Sequence, residues 1–222
     1  MLVPLVATAT PQNQPLGLFM NQESVHEDDD DRTTAELLVT LDSDYRKCYQ
    51  HVIRQLNLAD KTSDGQILAD TDFEARQLIR TAFAYIEGAT FVLKTEATFN
   101  AEEKNVELTA QQQHFIFEAD FEINDKGQVK QKAAKIPLVK NILFAFSVFA
   151  EANRLQYKLD TNARWWTLML SSIRVRDRLM HPRTPSDLDV TPEETVAMIE
   201  AKVGFDEELH ALLSASKAQT DL

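Results

Sequence analysis

The sequence is short of cysteine and of long apolar runs, and each shortage excludes a class of protein. A single cysteine, Cys48, among 222 residues excludes an internal disulfide and a four-cysteine zinc site. No apolar run approaches the roughly 20 residues that a membrane helix needs, so no membrane association is predicted. The first Lys or Arg is Arg32, whereas a secretory signal begins with basic residues. We therefore expect a cytoplasmic protein.

The motifs of several enzyme classes are also missing. The chain contains no glycine-rich phosphate loop, no pair of histidines at zinc-binding spacing and no Gly-x-Ser-x-Gly turn. Nucleotide hydrolases with a phosphate loop, zinc hydrolases and serine hydrolases are therefore not indicated. No cofactor and no metal are predicted.

Basic residues are scarce overall but concentrated in one part of the chain. The net charge of −12 opposes binding to nucleic acid, because contacts with phosphate need Lys and Arg. Residues 128–184, however, hold 11 Lys or Arg against three acids, a net charge of +8. Such a segment can form a face that binds a polyanion. Alternatively, its charges are scattered around several helices and form no patch. Both interpretations stay open.

The chain divides into a tail and one domain. Residues 1–32 contain three prolines and the acidic run Glu27–Asp31 without a sustained apolar period, which predicts a disordered acidic N-terminal tail. Residues 33–216 are predicted to form a single helical domain whose core spans about residues 71–216, and residues 217–222 are expected to fray. With 44% hydrophobic residues, the domain can bury a sizeable core.

Apolar residues at three- and four-residue steps predict the helices. The first is capped by Thr33 or Thr34, and Asp72 is expected to open the longest one. Gly88 lies inside that longest helix, where glycine is unfavourable, so close approach of another element is predicted. Gly204 suggests a break in the last helix.

Cap and turn residues place the remaining elements. Thr109 with Gln112, and Thr191 with Glu194, have the spacing of a capping box. Residues 121–129 alternate around an Asn-Asp-Lys-Gly turn, which predicts a small hairpin or an extended loop. Asp160 is expected to cap the helix that follows it.

The most informative stretch is Ile-Arg-Val-Arg-Asp-Arg-Leu-Met-His-Pro at residues 173–182, which ends an apolar helix containing two tryptophans. Pro182 should end the helix at or before His181. On a continuing helix, Arg176 and His181 would lie about 140° apart, so unwinding at His181 frees its imidazole to turn toward the arginine. Asp177 lies four residues before His181 and is expected to hydrogen-bond to the imidazole.

This stretch resembles the signature of the HEPN family (higher eukaryotes and prokaryotes nucleotide-binding). The family's mark is an arginine, four to six intervening residues and a histidine, usually with Asn, Asp or His directly after the arginine. The resemblance covers Leu159–Thr195 and extends more faintly back to Phe73. It implies an all-α fold, a HEPN-like up-and-down helical bundle with a small hairpin or extended loop between helices. A second Arg-x4-His pair, Arg46 and His51, lacks the Asp and the following Pro.

The resemblance also implies a function and a site. Many HEPN relatives are metal-independent ribonucleases that dimerise with their motifs facing, so that two Arg and two His line one cleft. The implied catalytic residues are Arg176, Asp177 and His181. Four weaker candidates for substrate binding are also named. Three of them, Arg174, Arg178 and Arg183, lie in the motif helix or just after it, and the fourth, Glu87, lies on the longest helix.

The chemistry of RNA cleavage agrees with these residue types. Arginine stays charged and can engage two phosphate oxygens, which suits the phosphorane formed when the 2′-hydroxyl attacks. Histidine titrates near neutrality and suits proton transfer. Together with these residue types, the resemblance implies an endoribonuclease, a toxin or defence effector, with RNA, a second copy and an antitoxin or regulatory protein as partners.

Two alternatives stay open beside this hypothesis. The chain can be a non-catalytic HEPN module that binds RNA, a nucleotide or a protein. The motif can also be structural, with Arg174, Asp177 and His181 forming a salt-bridged helix end and Arg176 and Arg178 in solvent.

Arg80 and Glu87 share one face of the longest helix. A surface pair is the favoured interpretation for them, and an approach to the motif helix is the other.

Overall fold

The computed structural model describes residues 33–59 and 68–220, and this part of the chain contains six α-helices and one hairpin. The elements in chain order are α1 (Thr34–Ala59), α2 (Leu68–Glu103), α3 (Ala110–Ile116), β1 (Ala119–Ile123), β2 (Val129–Ala133), α4 (Leu138–Ala152), α5 (Arg164–Met180), a 3-10 turn (Pro185–Leu188) and α6 (Pro192–Thr220). The prediction of an all-α bundle with a small hairpin is confirmed. The predicted tail, residues 1–32, lies outside the described residues. Helix α6 continues to Thr220, beyond residue 216.

Helix α2 forms the centre of the bundle. Its apolar side chains are buried over much of its length, including Leu78, Ile79, Ala82, Phe83, Ile86 and Leu93. Helices α1, α4, α5 and α6 all contact it. The burial of so broad an apolar face is the main favourable contribution to the fold. The predicted start at Asp72 is wrong, because the helix begins at Leu68.

The hairpin is short and mostly exposed. Strands β1 and β2 are antiparallel, with Ala119 opposite Ala133 and Ile123 opposite Val129. The turn between them is closed by Gly127, whose φ of 73° lies in the left-handed region that glycine adopts without strain. The hairpin predicted for this segment is therefore confirmed.

The helix starts predicted from capping residues are observed where the side chain makes its capping hydrogen bond. Thr33 and Glu36 form a reciprocal pair, in which the Glu36 N–H donates to the Thr33 hydroxyl at 3.3 Å and the Thr33 N–H donates to the Glu36 carboxylate at 2.7 Å. The boxes predicted at Thr109 and Thr191 are present as well. The predicted cap Asp160 is wrong. Helix α5 begins at Arg164, and the Asp160 carboxylate accepts from the Asn162 N–H instead.

Two glycines lie where helices approach closely. A Cβ on Gly88 would overlap the Cδ1 atom of Leu41 on α1, which confirms the predicted close approach. The predicted break at Gly204 is wrong, because α6 is continuous there. A Cβ on Gly204 would overlap Cβ and Cγ of Trp165 on α5, so this glycine allows α5 and α6 to pack together.

We predict that Gly204→Ala lowers the free energy of unfolding by about 1–3 kcal/mol, because an added methyl group in a packed interface forces backbone shifts. Urea denaturation followed by circular dichroism measures the change. The matched control is Gly88→Ala, where the obstacle is the end of a flexible leucine side chain. Alanine has a higher helix propensity than glycine, so the stability of Gly88→Ala should stay near that of the parent protein. Equal stabilities for both variants would contradict the close packing at Gly204.

Candidate functional site

Helix α5 ends at the motif histidine. Met180 is the last helical residue, and His181 has φ −131° and ψ 56°, outside the helical region, as Pro182 after it requires. The His181 N–H still donates to the Asp177 carbonyl at 3.1 Å. Its side chain is exposed, and its ring makes no hydrogen bond with any residue that the structure describes. The imidazole is therefore accessible to a ligand.

Arg176 is held between two carboxylates. Its Nη2 pairs with Glu87 Oε1 on α2, and its Nη1 donates to Asp177 Oδ1 at 3.1 Å. These contacts fix the plane of a guanidinium that is still partly exposed. The structural interpretation that leaves Arg176 and Arg178 in solvent is therefore wrong, because Arg178 is also paired, with Glu194 at 2.5 Å.

Arg80 and Glu87 both face the motif helix. Glu87 contacts Arg176, and Arg80 Nη2 donates to the Leu179 carbonyl at 3.3 Å. The favoured interpretation as a surface pair is wrong, and the approach to the motif helix is the arrangement observed. The two residues lie seven apart on α2, so one helix face serves both contacts.

Asp177 orients the arginine and not the histidine. Its carboxylate bonds to Arg176, and no bond between the side chains of Asp177 and His181 exists in the described structure. The hydrogen bond expected from their four-residue spacing is therefore not made. The physical reason is that His181 has left helical geometry, so its ring no longer projects from the helix one turn after Asp177.

Two arginines hold the loop that follows His181. Arg178 donates to the Asp189 carbonyl at 3.0 Å, besides its pairing with Glu194. Arg76 donates to the Leu188 carbonyl at 3.1 Å. Arg178, predicted as a candidate for substrate binding, thus has its donors engaged inside the protein. Buried or half-buried carbonyls at a helix end need such partners.

Asp187 orders the same loop from within. Its carboxylate accepts from the N–H groups of Arg183 and Thr184, both at 2.8 Å, and from the Thr184 hydroxyl at 3.1 Å. The backbone N–H of Arg183, followed by the contacts from Thr184, holds the pKa of Asp187 below its ordinary value. Asp187 is not among the site residues predicted from the sequence. The Thr-x-x-Asp spacing from Thr184 is the capping signal that could have identified it.

The basic residues of segment 128–184 are spread over several elements, and some of them are paired with acids. Its 11 Lys and Arg are distributed over the hairpin, α4, α5 and the connecting loops, and Arg164, Arg176 and Arg178 are neutralised by Glu200, Glu87 and Glu194. Arg174 and Arg183 are exposed, and their side chains form no ion pair with the described residues. These two arginines are the cations left for a ligand in the motif stretch.

A second polar cluster, also missed from the sequence, joins α1, α2 and α6. Lys202 is only 2% exposed, and its Nζ lies 2.6 Å from Asp206 and 3.7 Å from Asp42. The same Nζ lies 3.8 Å from the ring centroid of Tyr85 and 4.6 Å from that of Tyr45. Burial raises the pKa of Asp206, and Lys202 only partly offsets this rise. A cation over two aromatic rings indicates a structural role.

The described residues contain neither a metal-binding cluster nor a helix that could span a membrane. Among residues 33–59 and 68–220, no three His, Cys, Asp or Glu side chains form a group that could hold a metal ion. No helix in the same residues has an apolar span sufficient to cross a membrane. No protein-family model, no curated protein and no solved structure matches the chain.

We predict that Lys202→Met lowers the free energy of unfolding by about 1–2 kcal/mol, because it leaves the half-buried Asp206 carboxylate without its cation while water still reaches part of it. Lys217→Met, a change at an exposed position of the same helix, is the matched control and should have little effect. Adding Asp206→Asn to Lys202→Met should recover a large part of the loss, and a double-mutant cycle in urea measures this coupling. Additive effects would show that the two charges do not interact.

Proposed function

We propose that this chain is a metal-independent endoribonuclease of the HEPN type, which cleaves RNA through the RNA's own 2′-hydroxyl. The observation that carries the proposal is the state of His181, which is exposed, outside the helix and without a side-chain partner among the described residues. A histidine with a purely structural role would be buried or paired. Arg176 precedes it on the same helix with its guanidinium already oriented.

The reaction assigns a separate task to each group. A neutral histidine removes the proton from the 2′-hydroxyl, whose oxygen attacks the adjacent phosphorus. The bond to the 5′-oxygen breaks, and a protonated histidine supplies the proton to that leaving oxygen. Arg176 stabilises the charge on the phosphorane oxygens. The products are a 2′,3′-cyclic phosphate and a free 5′-hydroxyl, so that atoms and charge balance without a further reactant.

One histidine cannot serve as base and acid in the same step, so the proposed enzyme is a twofold dimer. Most soluble oligomers close by C2 symmetry, which places two copies of one surface face to face. Two copies of the α5 terminus would supply two His181 and two Arg176 side chains to one cleft. One histidine then starts as the neutral base and the other as the protonated acid.

A toxin or defence role in the cytoplasm follows from the proposed activity, because uncontrolled RNA cleavage harms the cell that produces the enzyme. An antitoxin or regulatory protein would then be a partner.

The second candidate function is a non-catalytic HEPN module that binds RNA, a nucleotide or a protein. Its supporting observation is the double pairing of Arg176 with Glu87 and Asp177, which occupies the guanidinium internally.

We predict that the purified protein cleaves mixed RNA in EDTA and that His181→Ala lowers the rate at least about 100-fold. The products should end in a 2′,3′-cyclic phosphate, and a 2′-deoxy nucleotide at the cut site should block the cut. The matched control is His51→Ala, which disrupts the other Arg-x4-His pair. His51 contacts Glu74 and lies outside the motif, so this change should leave the rate unaltered. Full activity of His181→Ala, or an absolute requirement for Mg²⁺, would refute the mechanism.

The arginine and its two acids should differ in their effects on the same assay. Arg176→Lys is expected to be nearly as damaging as His181→Ala. An ammonium keeps the positive charge, but it cannot engage two phosphorane oxygens at once as a guanidinium does. Asp177→Asn and Glu87→Gln should be milder, since each removes one of two orienting contacts. Rate measurements at saturating RNA separate these outcomes. An Arg176→Lys variant with parental activity would remove the arginine from the mechanism.

The dimer is expected to have about twice the chain mass of 25.2 kDa in light scattering at micromolar concentration. When the parental protein is equilibrated with an excess of His181→Ala, most parental chains enter heterodimers that hold a single intact histidine. Because the proposed mechanism needs two histidines, the activity should fall well below that of the same amount of parental protein alone, and an unchanged activity would contradict the composite site. A strict monomer that cuts RNA would exclude the composite site.

A further inference from the structure

An apolar groove lies between the C-terminal half of α2 and the end of α3. It has a volume of about 440 Å³, and its walls include the phenylalanines Phe91, Phe99 and Phe117 together with Ile116. The three phenylalanines are 50%, 60% and 66% exposed. Several exposed aromatic side chains in one concave surface are typical of an interaction site, because leaving them in water is unfavourable.

The α2 wall of this groove is a helical stripe. Phe91, Thr95, Thr98, Phe99 and Glu102 follow one another at steps of three, four or one residues, which keeps them on one side of the helix. The hydroxyls of Thr95 and Thr98 donate to carbonyls of their own helix, at 3.2 and 3.3 Å. The stripe therefore presents a mainly apolar surface to a partner, because both threonine hydroxyls already donate hydrogen bonds within α2.

A carboxylate at the groove is held in place from inside the protein. Glu118 pairs with Lys94, which is only 1% exposed, and accepts from the Asn141 amide at 3.2 Å. Burial alone would raise the pKa of Glu118, but the hydrogen bond and charge of Lys94 outweigh it, and the net shift is downward. Glu118 also has a φ of 48°, a left-handed conformation that costs energy for a residue with a side chain.

Acidic residues outnumber basic residues in the segment that forms the groove. Residues 91–122 contain seven Asp or Glu and two Lys, and Lys132 on β2 pairs with two of these acids, Asp120 and Glu122. The two lysines of the segment are engaged internally, Lys94 by Glu118 and Lys104 by Asn153. Glu102 and Glu103 are exposed one helical turn after Thr98 and Phe99, at the end of the stripe. An occupant of complementary charge is therefore basic.

We propose that this groove docks a basic amphipathic helix of another protein, with apolar side chains along one face and Lys or Arg beside them. A helix laid in a groove uses anchors at i, i+3 or i+4 and i+7, which matches the spacing of the α2 stripe. RNA is a poor occupant, because its phosphates would meet net negative charge. A second copy of this chain would bring the same negative surface, and residues 1–31 contain six acids and no Lys or Arg.

The test uses fluorescein-labelled helical peptides of 18 residues, with leucine at positions i, i+3 or i+4, and i+7 and with lysine elsewhere. A matched set of peptides has glutamate in place of lysine. Fluorescence anisotropy on the full chain should show binding of the lysine set, and at least about tenfold weaker binding of the glutamate set. Phe99→Ser and Phe117→Ser should each raise the Kd at least about tenfold, as loss of a central aromatic anchor does. Val203→Ser, at a half-exposed valine on α6, is the control and should leave the Kd unchanged.

Several outcomes would overturn this proposal. The first is that the lysine peptides do not bind at 1 mM, and the second is that the lysine and glutamate peptides bind equally well. The third is that Phe99→Ser and Phe117→Ser both keep the parental Kd while their circular dichroism shows a native fold. Loss of self-association in Phe99→Ser would identify a second copy as the occupant, and binding of a peptide of residues 1–24 in place of the lysine set would identify this chain's own segment. Cleavage of RNA by Phe99→Ser should be unaffected, so this proposal and the proposed activity fail independently.

Discussion

The burial of α2 is the constraint on which the rest of the structure depends. Its apolar side chains are covered by four other helices, so its rotation about its own axis is determined by the core. Arg76, Arg80 and Glu87 lie on a face of this fixed helix, at steps of four and seven residues. They contact Leu188, Leu179 and Arg176, respectively. The packing of the core therefore also sets the geometry at the end of α5.

The confirmed helix and capping-box predictions rest on signals that lie within short stretches of sequence. Capping boxes at Thr33, Thr109 and Thr191 involve residues three apart, so their signal is contained in the local sequence. The all-α fold follows from apolar periodicity, which is equally local. The errors at Asp72 and Asp160 concern helix ends, where neighbouring elements decide how far a helix extends.

The candidate site was predictable only in part, because its key contacts join distant residues. The end of α5 at Met180 follows from Pro182 and is visible in the sequence. The pair of Arg176 with Glu87 spans 89 residues, and the bond from Arg80 to Leu179 spans 99. No local pattern encodes such contacts, which is why a surface pair of Arg80 with Glu87 was favoured and an Asp177–His181 bond was expected. In the structure, Glu87 and Asp177 both contact Arg176, and Arg80 bonds to the Leu179 carbonyl.

An acidic chain that acts on RNA must confine its attraction for phosphate to a small area. At physiological ionic strength, interactions between exposed charges are largely screened beyond about 8 Å. Phosphate near His181 would therefore respond to Arg174 and Arg183, which form no ion pair with the described residues, more than to acids elsewhere on the chain. Pairing of Arg178 with Glu194 and of Arg164 with Glu200 removes other cations that would hold RNA nonspecifically. A protein with net charge −12 can in this way act on a polyanion at one place while its remaining surface repels it.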